Sequence, residues 1–203
     1  HMKVHLEDTQ NYARDYDEDI YQCAMSHIRR RRVAIDVGAS FGLWSLKLVR
    51  DFDDVRAFEP LDVSRECFAS NLMPYASKVL LYSCALGDRS GKTTMRIKPD
   101  TTFKTHVSGT EGDVTMRRLD EFDFADVDLI KVDCEGFDYC VLGGARDTIE
   151  RCHPVIAFES KPKVSSKRYK IPQDAVHKLL HGMGYSISRE LHGNFVAYYA
   201  EAR

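Results

Sequence analysis

Residues 33–42, VAIDVGASFG, join a short apolar strand to a turn that contains two glycines. The apolar run at 33–37 predicts the strand, and the apolar residues from Phe41 to Val49 predict a helix that is covered on both sides. Gly38 and Gly42 allow a tight turn, and the first N–H groups of the helix are available to an anion. This sequence predicts the first unit of an α/β sheet.

Strand-like and helix-like segments continue to alternate after this unit. Apolar runs predict four further strands, at 55–58, 79–84, 128–132 and 155–158. Apolar residues at helical spacing predict helices, one from Asp62 to Pro74 and others at 137–149 and 176–183. The pattern predicts a mostly parallel sheet with helices on both faces.

Two pairs of segments depart from the parallel pattern. The stretches near 92–98 and 113–118 are flanked by glycines and predict an antiparallel excursion. The strands at 185–189 and 194–200 meet across His192 to Asn194 and predict a hairpin at the sheet edge. The polar stretch 99–112 between the first pair fits either a lid over the cleft or a plain hairpin connection.

Composition points to one folded domain. The chain has 203 residues, of which 43% are hydrophobic and 30% charged, and these proportions exclude a disordered chain. No apolar run reaches the ~18 residues that cross a bilayer, so we expect no membrane association. Six scattered cysteines predict reduced thiols and a cytoplasmic protein. We expect an N-terminal extension or cap helix at 1–32 and a single domain at 33–203.

Acidic residues follow the first two strands. Asp36 stands in the first strand, and Glu59, followed by Pro60, comes 23 residues later at the end of the second. An acid about 20 residues after a glycine-bearing turn is placed to accept hydrogen bonds from ribose hydroxyls. A turn with its own carboxylate suits a ligand with an ammonium group better than a pyrophosphate. S-adenosylmethionine fits these residues better than NAD.

A second group of charged residues follows the fourth and fifth strands. Lys131, Asp133 and Glu135 share one face if the extended conformation continues, and Glu159 ends the fifth strand. Because desolvated charges rarely add stability, this group predicts a reaction centre.

Five blocks of sequence resemble the FkbM family of S-adenosylmethionine-dependent methyltransferases. The blocks are AIDVGASFG (34–42), VRAFEP (55–60), CALGDRSG (84–91), LIKVDCEGFDYCVLGGA (129–145) and PVIAFES (154–160). They match that family in order and spacing, and the block that starts at Leu129 is the most specific of the five. The resemblance implies a class I, Rossmann-like fold with a seven-stranded sheet, which makes 33–203 the methyltransferase domain. The family usually has Asn where Ser40 stands and Glu where Asp138 stands.

The resemblance also implies O-methylation of a hydroxyl on a sugar, a polyketide or another small metabolite. It assigns the methionine part of the cofactor to Asp36 and the loop Gly38, Ala39, Ser40, Phe41 and Gly42, the ribose to Glu59, the adenine to the turn Cys84-Ala85, and the reaction centre to Asp133. Pro60 and Asp133 are also among the predicted cofactor-binding residues. Lys131, Asp133, Glu135 and Glu159 are the candidate catalytic residues, and His106 is a weaker candidate for the base. The same carboxylates also fit a divalent cation such as Mg²⁺.

Two classes of methyl acceptor fit the sequence, and a protein without catalysis is a further alternative. A basic segment after the fifth strand, with Lys161, Lys163, Lys167, Arg168 and Lys170, favours an anionic acceptor such as a nucleotide sugar. It also fits an RNA ribose 2'-O-methyltransferase, although a net charge of −2 argues against nucleic acid. A cofactor-binding scaffold without catalysis is the third hypothesis.

Overall fold

A computed structural model describes residue 13, residues 15–97 and residues 105–199. The helices are α1 (Glu18–Ser26), α2 (Leu43–Asp51), α3 (Asp62–Leu72), α4 (Asp138–Gly143), α5 (Arg146–Cys152), α6 (Pro162–Tyr169) and α7 (Ala175–Gly182). The strands are β1 (Val33–Val37), β2 (Asp54–Phe58), β3 (Val79–Tyr82), β4 (Ala85–Leu86), β5 (Gly91–Ile97), β6 (Thr105–Arg117), β7 (Val127–Val132), β8 (Val155–Glu159), β9 (Tyr185–Ile187) and β10 (Asn194–Tyr199).

Seven strands form one sheet in the order β3-β2-β1-β7-β8-β10-β9. Strands β1, β2, β3, β7 and β8 pair in parallel, whereas β10 runs antiparallel to both β8 and β9. The predicted α/β fold, with its parallel core and antiparallel edge hairpin, is confirmed. The carboxyl ends of β1, β2, β7 and β8 therefore meet at one edge of the sheet, where open α/β sheets bind ligands.

A second, three-stranded sheet has the order β4-β6-β5. Strands β5 and β6 are antiparallel, which confirms the predicted excursion. The polar stretch 99–112 is only partly described, and its residues 105–112 belong to β6 rather than to a loop. Glycine and polar side chains hid this strand, since β6 is exposed over most of its first half and needs no apolar face there.

The helix predicted at 137–149 is two helices, α4 and α5. The helix is interrupted at Gly144, where a Cβ atom would lie 1.9 Å from the carbonyl oxygen of Gly87. The Asp120 carboxylate then accepts hydrogen bonds from the Thr148 N–H at 2.9 Å and the Asp147 N–H at 3.2 Å, at the start of α5. Long-range packing therefore overrides a continuous apolar spacing.

Apolar side chains cover both faces of the large sheet. One cluster includes Leu142, Ile149 and Leu180 from the helices on one face, and the other includes Ile20, Trp44 and Leu48 from the opposite face. Among the described residues, no helix is long and apolar enough to cross a membrane. The core thus fixes the sheet and leaves its carboxyl edge to polar residues.

Candidate active site

The turn after β1 is held tightly against the neighbouring strands. Gly38 has a φ of +74°, and a Cβ atom there would lie 2.1 Å from the carbonyl oxygen of Asp133. The N–H groups of Gly38 and Ala39 both donate to the carbonyl oxygen of Phe58, at 3.0 and 3.1 Å. Ser40 is also left-handed, with a φ of +49°. The turn therefore brings the ends of β1, β2 and β7 together.

Asp36 is completely buried beneath this turn. Its Oδ2 accepts a 2.7 Å hydrogen bond from the Ser45 hydroxyl, and its Oδ1 lies 3.4 Å from Nζ of Lys131. Burial opposes the charge of Lys131, but Asp36 and Asp133 outweigh it and hold the pKa of Lys131 above its ordinary value. Lys131 also contacts the carbonyl oxygen of Gly38 at 3.3 Å, so it fixes the turn from below.

Glu59 lies beside the same turn. Its Oε2 accepts a 2.9 Å hydrogen bond from the Ser40 N–H, and its Oε1 accepts one of 2.9 Å from the Leu61 N–H. Burial raises the pKa of Glu59, while these two hydrogen bonds work in the opposite direction. Each carboxylate oxygen keeps a second lone pair, so Glu59 can accept two further hydrogen bonds.

These residues fit the cofactor that the sequence predicts. Asp36 Oδ1 accepts no hydrogen bond from the described residues, and its ion-pair partner Lys131 lies 3.4 Å away, so this buried oxygen keeps a lone pair for a ligand. Glu59 offers lone pairs to a pair of hydroxyls, and Gly38 leaves no room for a side chain at the turn. Of the other predicted cofactor residues, Phe41 and Pro60 are partly exposed, Gly42 is buried at the start of α2, and Ala85 is buried in β4 opposite Met116.

Asp133, Glu135 and Glu159 form an acid cluster at the ends of β7 and β8. One carboxylate oxygen from each lies within 4.8 Å of the others. The predicted extended conformation does not continue, because β7 ends at Val132 and Glu135 has a φ of +51°. This turn, and not strand alternation, directs Glu135 towards Glu159. Lys131 pairs with Asp36 and also interacts with Asp133, whose pKa it lowers.

Lys161 joins this acid cluster, although the sequence placed it only among residues of a basic loop. Its Nζ lies 2.8 Å from Oε2 of Glu135 and 2.6 Å from Oε2 of Glu159. The segment that follows is helix α6 rather than a loop, and Pro162 suits its first position because proline has no N–H to leave unpaired there. A lysine directly after a strand that ends in Glu159 was the available signal.

The acid cluster contains carboxyl groups with opposite pKa shifts. Burial and the nearby Asp133 carboxylate raise the pKa of Glu159 to about 8, although Lys161 opposes the shift. Burial favours the neutral form of Asp133 too, but Lys131, a hydrogen bond with Glu159 and Lys161 hold the pKa of Asp133 below its usual value. Near pH 7 most of Glu159 is therefore protonated, with a minor ionised fraction, while Asp133 is ionised, an arrangement typical of acid–base sites.

The remaining candidates lie around this centre. Asp138 is buried and accepts hydrogen bonds from the N–H groups of Gly136, at 3.1 Å, and Cys134, at 3.4 Å. Burial and Asp133 raise the pKa of Asp138 to about 7. His106 on β6 has a pKa lowered by burial and by Arg168 and Arg96, which keeps its ring neutral at pH 7.

The N-terminal segment reaches the same edge of the sheet. The Trp44 indole donates a 3.0 Å hydrogen bond to Asp17, and Nζ of Lys47 lies 2.5 Å from Glu18. Asp17, Ile20 and Trp44 line a narrow pocket together with Lys131 and Asp133. Residues ahead of the methyltransferase-like segment therefore form one wall beside the predicted reaction centre, which no local motif indicated.

Comparisons with known proteins agree with this geometry. The model of the Methyltransferase FkbM domain matches residues 36–187. The fold is similar to that of methyltransferase FkbM from Methylobacillus flagellatus KT, with 18% identity and a TM-score of 0.62 over 96% of this chain and 50% of that chain. This chain thus spans half the length of the Methylobacillus protein. No curated protein matches it by sequence.

Two further structures share the fold at low identity. A SAM-dependent methyltransferase from Aquifex aeolicus is 12% identical, with a TM-score of 0.52 over 97% of this chain and 98% of that chain. A Streptococcus mutans protein solved in complex with SAH is 10% identical, with a TM-score of 0.56 over 89% of this chain and 96% of that chain. The family match over three-quarters of the sequence identifies the chain as a member of the FkbM methyltransferase family.

Proposed function

We propose that the protein transfers a methyl group from S-adenosylmethionine to a hydroxyl of a sugar, a polyketide or another small metabolite. One observation carries this proposal: the acid cluster adjoins the turn after β1, since the backbone of Asp133 packs directly against Gly38. A cofactor held by the turn would present its reactive end to the carboxylates of this cluster. Membership in a methyltransferase family supports the same reaction class.

Asp36 and the loop from Gly38 to Gly42 would hold the methionine part of the cofactor, and Glu59 would hold the ribose. When bound, S-adenosylmethionine supplies an electrophilic methyl group that a hydroxyl oxygen attacks in line, with a neutral thioether as the product. The Ala85 region remains our proposal for the adenine site, because it follows β3 at the same edge. These assignments align two reactants, which is the main contribution of such a site.

Glu159 is the proposed general base. An alcohol loses its proton as the new bond to carbon forms, so the protein must supply an acceptor within hydrogen-bond reach. A carboxylate with a pKa of about 8 accepts a proton more readily than an ordinary glutamate, and it is partly ionised near neutral pH. Asp133 stays ionised beside it, and Lys161 holds the Glu159 carboxylate in place.

The acceptor is proposed to carry negative charge. Lys163, Lys167 and Lys170 are exposed on or just after α6, beside the acid cluster. Such a basic surface raises the local concentration of anionic substrates.

The six free cysteines support the cytoplasmic compartment that the sequence predicts.

An acceptor panel with isotopically labelled S-adenosylmethionine tests this function. The panel contains neutral sugars, sugar phosphates, polyketide alcohols, amines and short RNA. We expect label in an alkali-stable ether of a small hydroxyl compound, with transfer lowered by at least about 100-fold in Glu159→Gln and normal transfer by Glu66→Gln, which alters an exposed acid on α3. Label in an amine would contradict O-methylation, and salt-sensitive labelling of RNA would favour the ribose alternative.

A further inference from the structure

The ammonium group of Lys161 lies between Glu135 and Glu159, two members of an acid cluster whose spacing suits a cation. Nζ of Lys161 lies 2.8 Å from Glu135 and 2.6 Å from Glu159, and the three carboxylates of the acid cluster offer oxygens within 4.8 Å of one another. Three carboxylate oxygens at this spacing can surround one divalent ion, whose oxygen ligands lie ~2.0–2.6 Å away. A lysine nitrogen and a metal ion would therefore compete for one position.

The backbone around Lys161 is anchored to the turn that carries Glu135. The carbonyl oxygen of Lys161 accepts hydrogen bonds of 2.9 Å from the N–H groups of Val164 and Ser165. The Ser165 hydroxyl lies 2.8 Å from the carbonyl oxygen of Gly136, and Arg168 donates a 3.1 Å hydrogen bond to the carbonyl oxygen of Glu135. The first turns of α6 thus fix the origin of the lysine side chain, so the ammonium position is built into the fold.

Charge gives the same result. The side chain of Lys161 is only 22% exposed, and those of Glu135 and Glu159 are each 21% exposed. The surrounding water therefore screens these charges weakly. Burial opposes the charge of Lys161, but the hydrogen bonds with Glu135 and Glu159 outweigh it and raise the pKa of Lys161. The two carboxylates therefore favour the charged form of Lys161.

We propose that Lys161 takes the place of a divalent cation in the acid cluster: it positions Glu135 and Glu159 and keeps metal ions out. Its part in methyl transfer rests on the proposed function, whereas the exclusion of metal does not. Lys161 is a positioning residue, since its contacts are with the carboxylates. Removal of its ammonium group leaves three carboxylates that a divalent ion can bind.

Titration of the full chain with Mn²⁺, followed by electron paramagnetic resonance, tests the exclusion directly. We expect Lys161→Met to bind one Mn²⁺ at least about tenfold more tightly than the unchanged protein, because a buried positive charge is lost from the site. Lys161→Arg keeps the charge and should behave like the unchanged protein. Lys163→Ala, which alters an exposed lysine two residues away, is the matched control.

Glu135→Gln added to Lys161→Met should abolish the gained binding, which places the ion in the acid cluster. Equal Mn²⁺ affinity of the unchanged protein and of a Lys161→Met variant with native circular dichroism would overturn the proposal. Lys161→Gln replaces Lys161→Met in this experiment if the latter does not fold. Tight Mn²⁺ binding by the unchanged protein would by itself overturn the proposal.

Activity gives a separate readout once an acceptor is known. Transfer by the unchanged protein should be insensitive to a chelator, Lys161→Met should lower kcat more than it raises KM, and Lys161→Arg should restore part of kcat. Loss of transfer on chelation would contradict the proposal. Failure to find any acceptor would count against the proposed function alone, because the Mn²⁺ titration does not depend on it.

Discussion

The N–H of Ser40 donates a 2.9 Å hydrogen bond to Oε2 of Glu59, and this contact joins the turn after β1 to the end of β2. The two strands are neighbours in the sheet, so a single carboxylate organises the turn and faces the edge where a ribose would lie. The family match begins at Asp36 and includes both residues. The proposed cofactor site is therefore assembled largely by contacts between adjacent strand ends.

Glu59→Gln should weaken binding of S-adenosylhomocysteine by at least about tenfold. The amide replaces one acceptor with a donor, which faces a backbone N–H and can no longer accept from a ribose hydroxyl. Calorimetric titration measures the change. Glu66→Gln, at an exposed position of α3, is the control. Unchanged affinity in Glu59→Gln would remove Glu59 from the cofactor site.

Lys131→Met should lower the free energy of unfolding by about 3–5 kcal/mol, because it leaves the fully buried Asp36 carboxylate without its cation. The double variant Asp36→Leu with Lys131→Met removes both charges and should recover much of the loss. Urea denaturation measures both values. A single-variant cost below about 1 kcal/mol would show that the pair contributes little to stability.

Gly38→Ala should destabilise the fold by at least about 2 kcal/mol and weaken cofactor binding. The added methyl group would lie 2.1 Å from the carbonyl oxygen of Asp133, at a φ of +74° that side chains rarely adopt. Gly182→Ala is the matched control, because a Cβ atom there meets nothing within 4 Å. Equal thermal midpoints for the two variants would show that the turn relaxes without strain.

The pH dependence of methyl transfer should report Glu159. Its carboxyl group has a pKa of about 8, and the ionised base form predominates only above that pH, so kcat/KM should rise through about pH 8 and then level off. Because Glu159 shares a hydrogen bond with Asp133, the apparent value belongs to the pair. Glu159→Gln should eliminate the rising limb.

Asp138 provides the control for this profile, since its own pKa is about 7. It bonds to backbone N–H groups of the turn that carries Glu135, and it lies outside the acid cluster. Asp138→Asn should therefore leave the rising limb in place. A limb that disappears in Asp138→Asn but persists in Glu159→Gln would reverse the assignment of the base.

Sequence patterns predicted the sheet because it depends on local signals, and the same signals singled out the residues that we propose for the cofactor. The apolar run Val33–Val37 is β1 itself and Glu59 directly follows β2, so both can be recognised without knowledge of the fold. The helix predicted at 137–149 failed because Gly144 packs on Gly87, a contact that spacing along the chain cannot reveal.

The reaction centre was only half predictable for a similar reason. Glu135 and Glu159 were identified from their positions after β7 and β8, but their link through Lys161 needs the left-handed turn at Glu135 and the start of α6. The basic residues after β8 indicated only a charged surface. Only the folded structure distinguishes Lys161, which faces the acid cluster, from Lys163, which is exposed.

Calorimetric titration of the full chain with S-adenosylhomocysteine, with NAD as comparator, tests the central claim most directly. We expect binding of S-adenosylhomocysteine at one site with micromolar affinity, lost in Glu59→Gln and kept in Glu66→Gln, and no binding of NAD. Absence of binding by a folded protein would contradict a catalytic methyltransferase and favour a scaffold, and preferential binding of NAD would contradict the assigned cofactor.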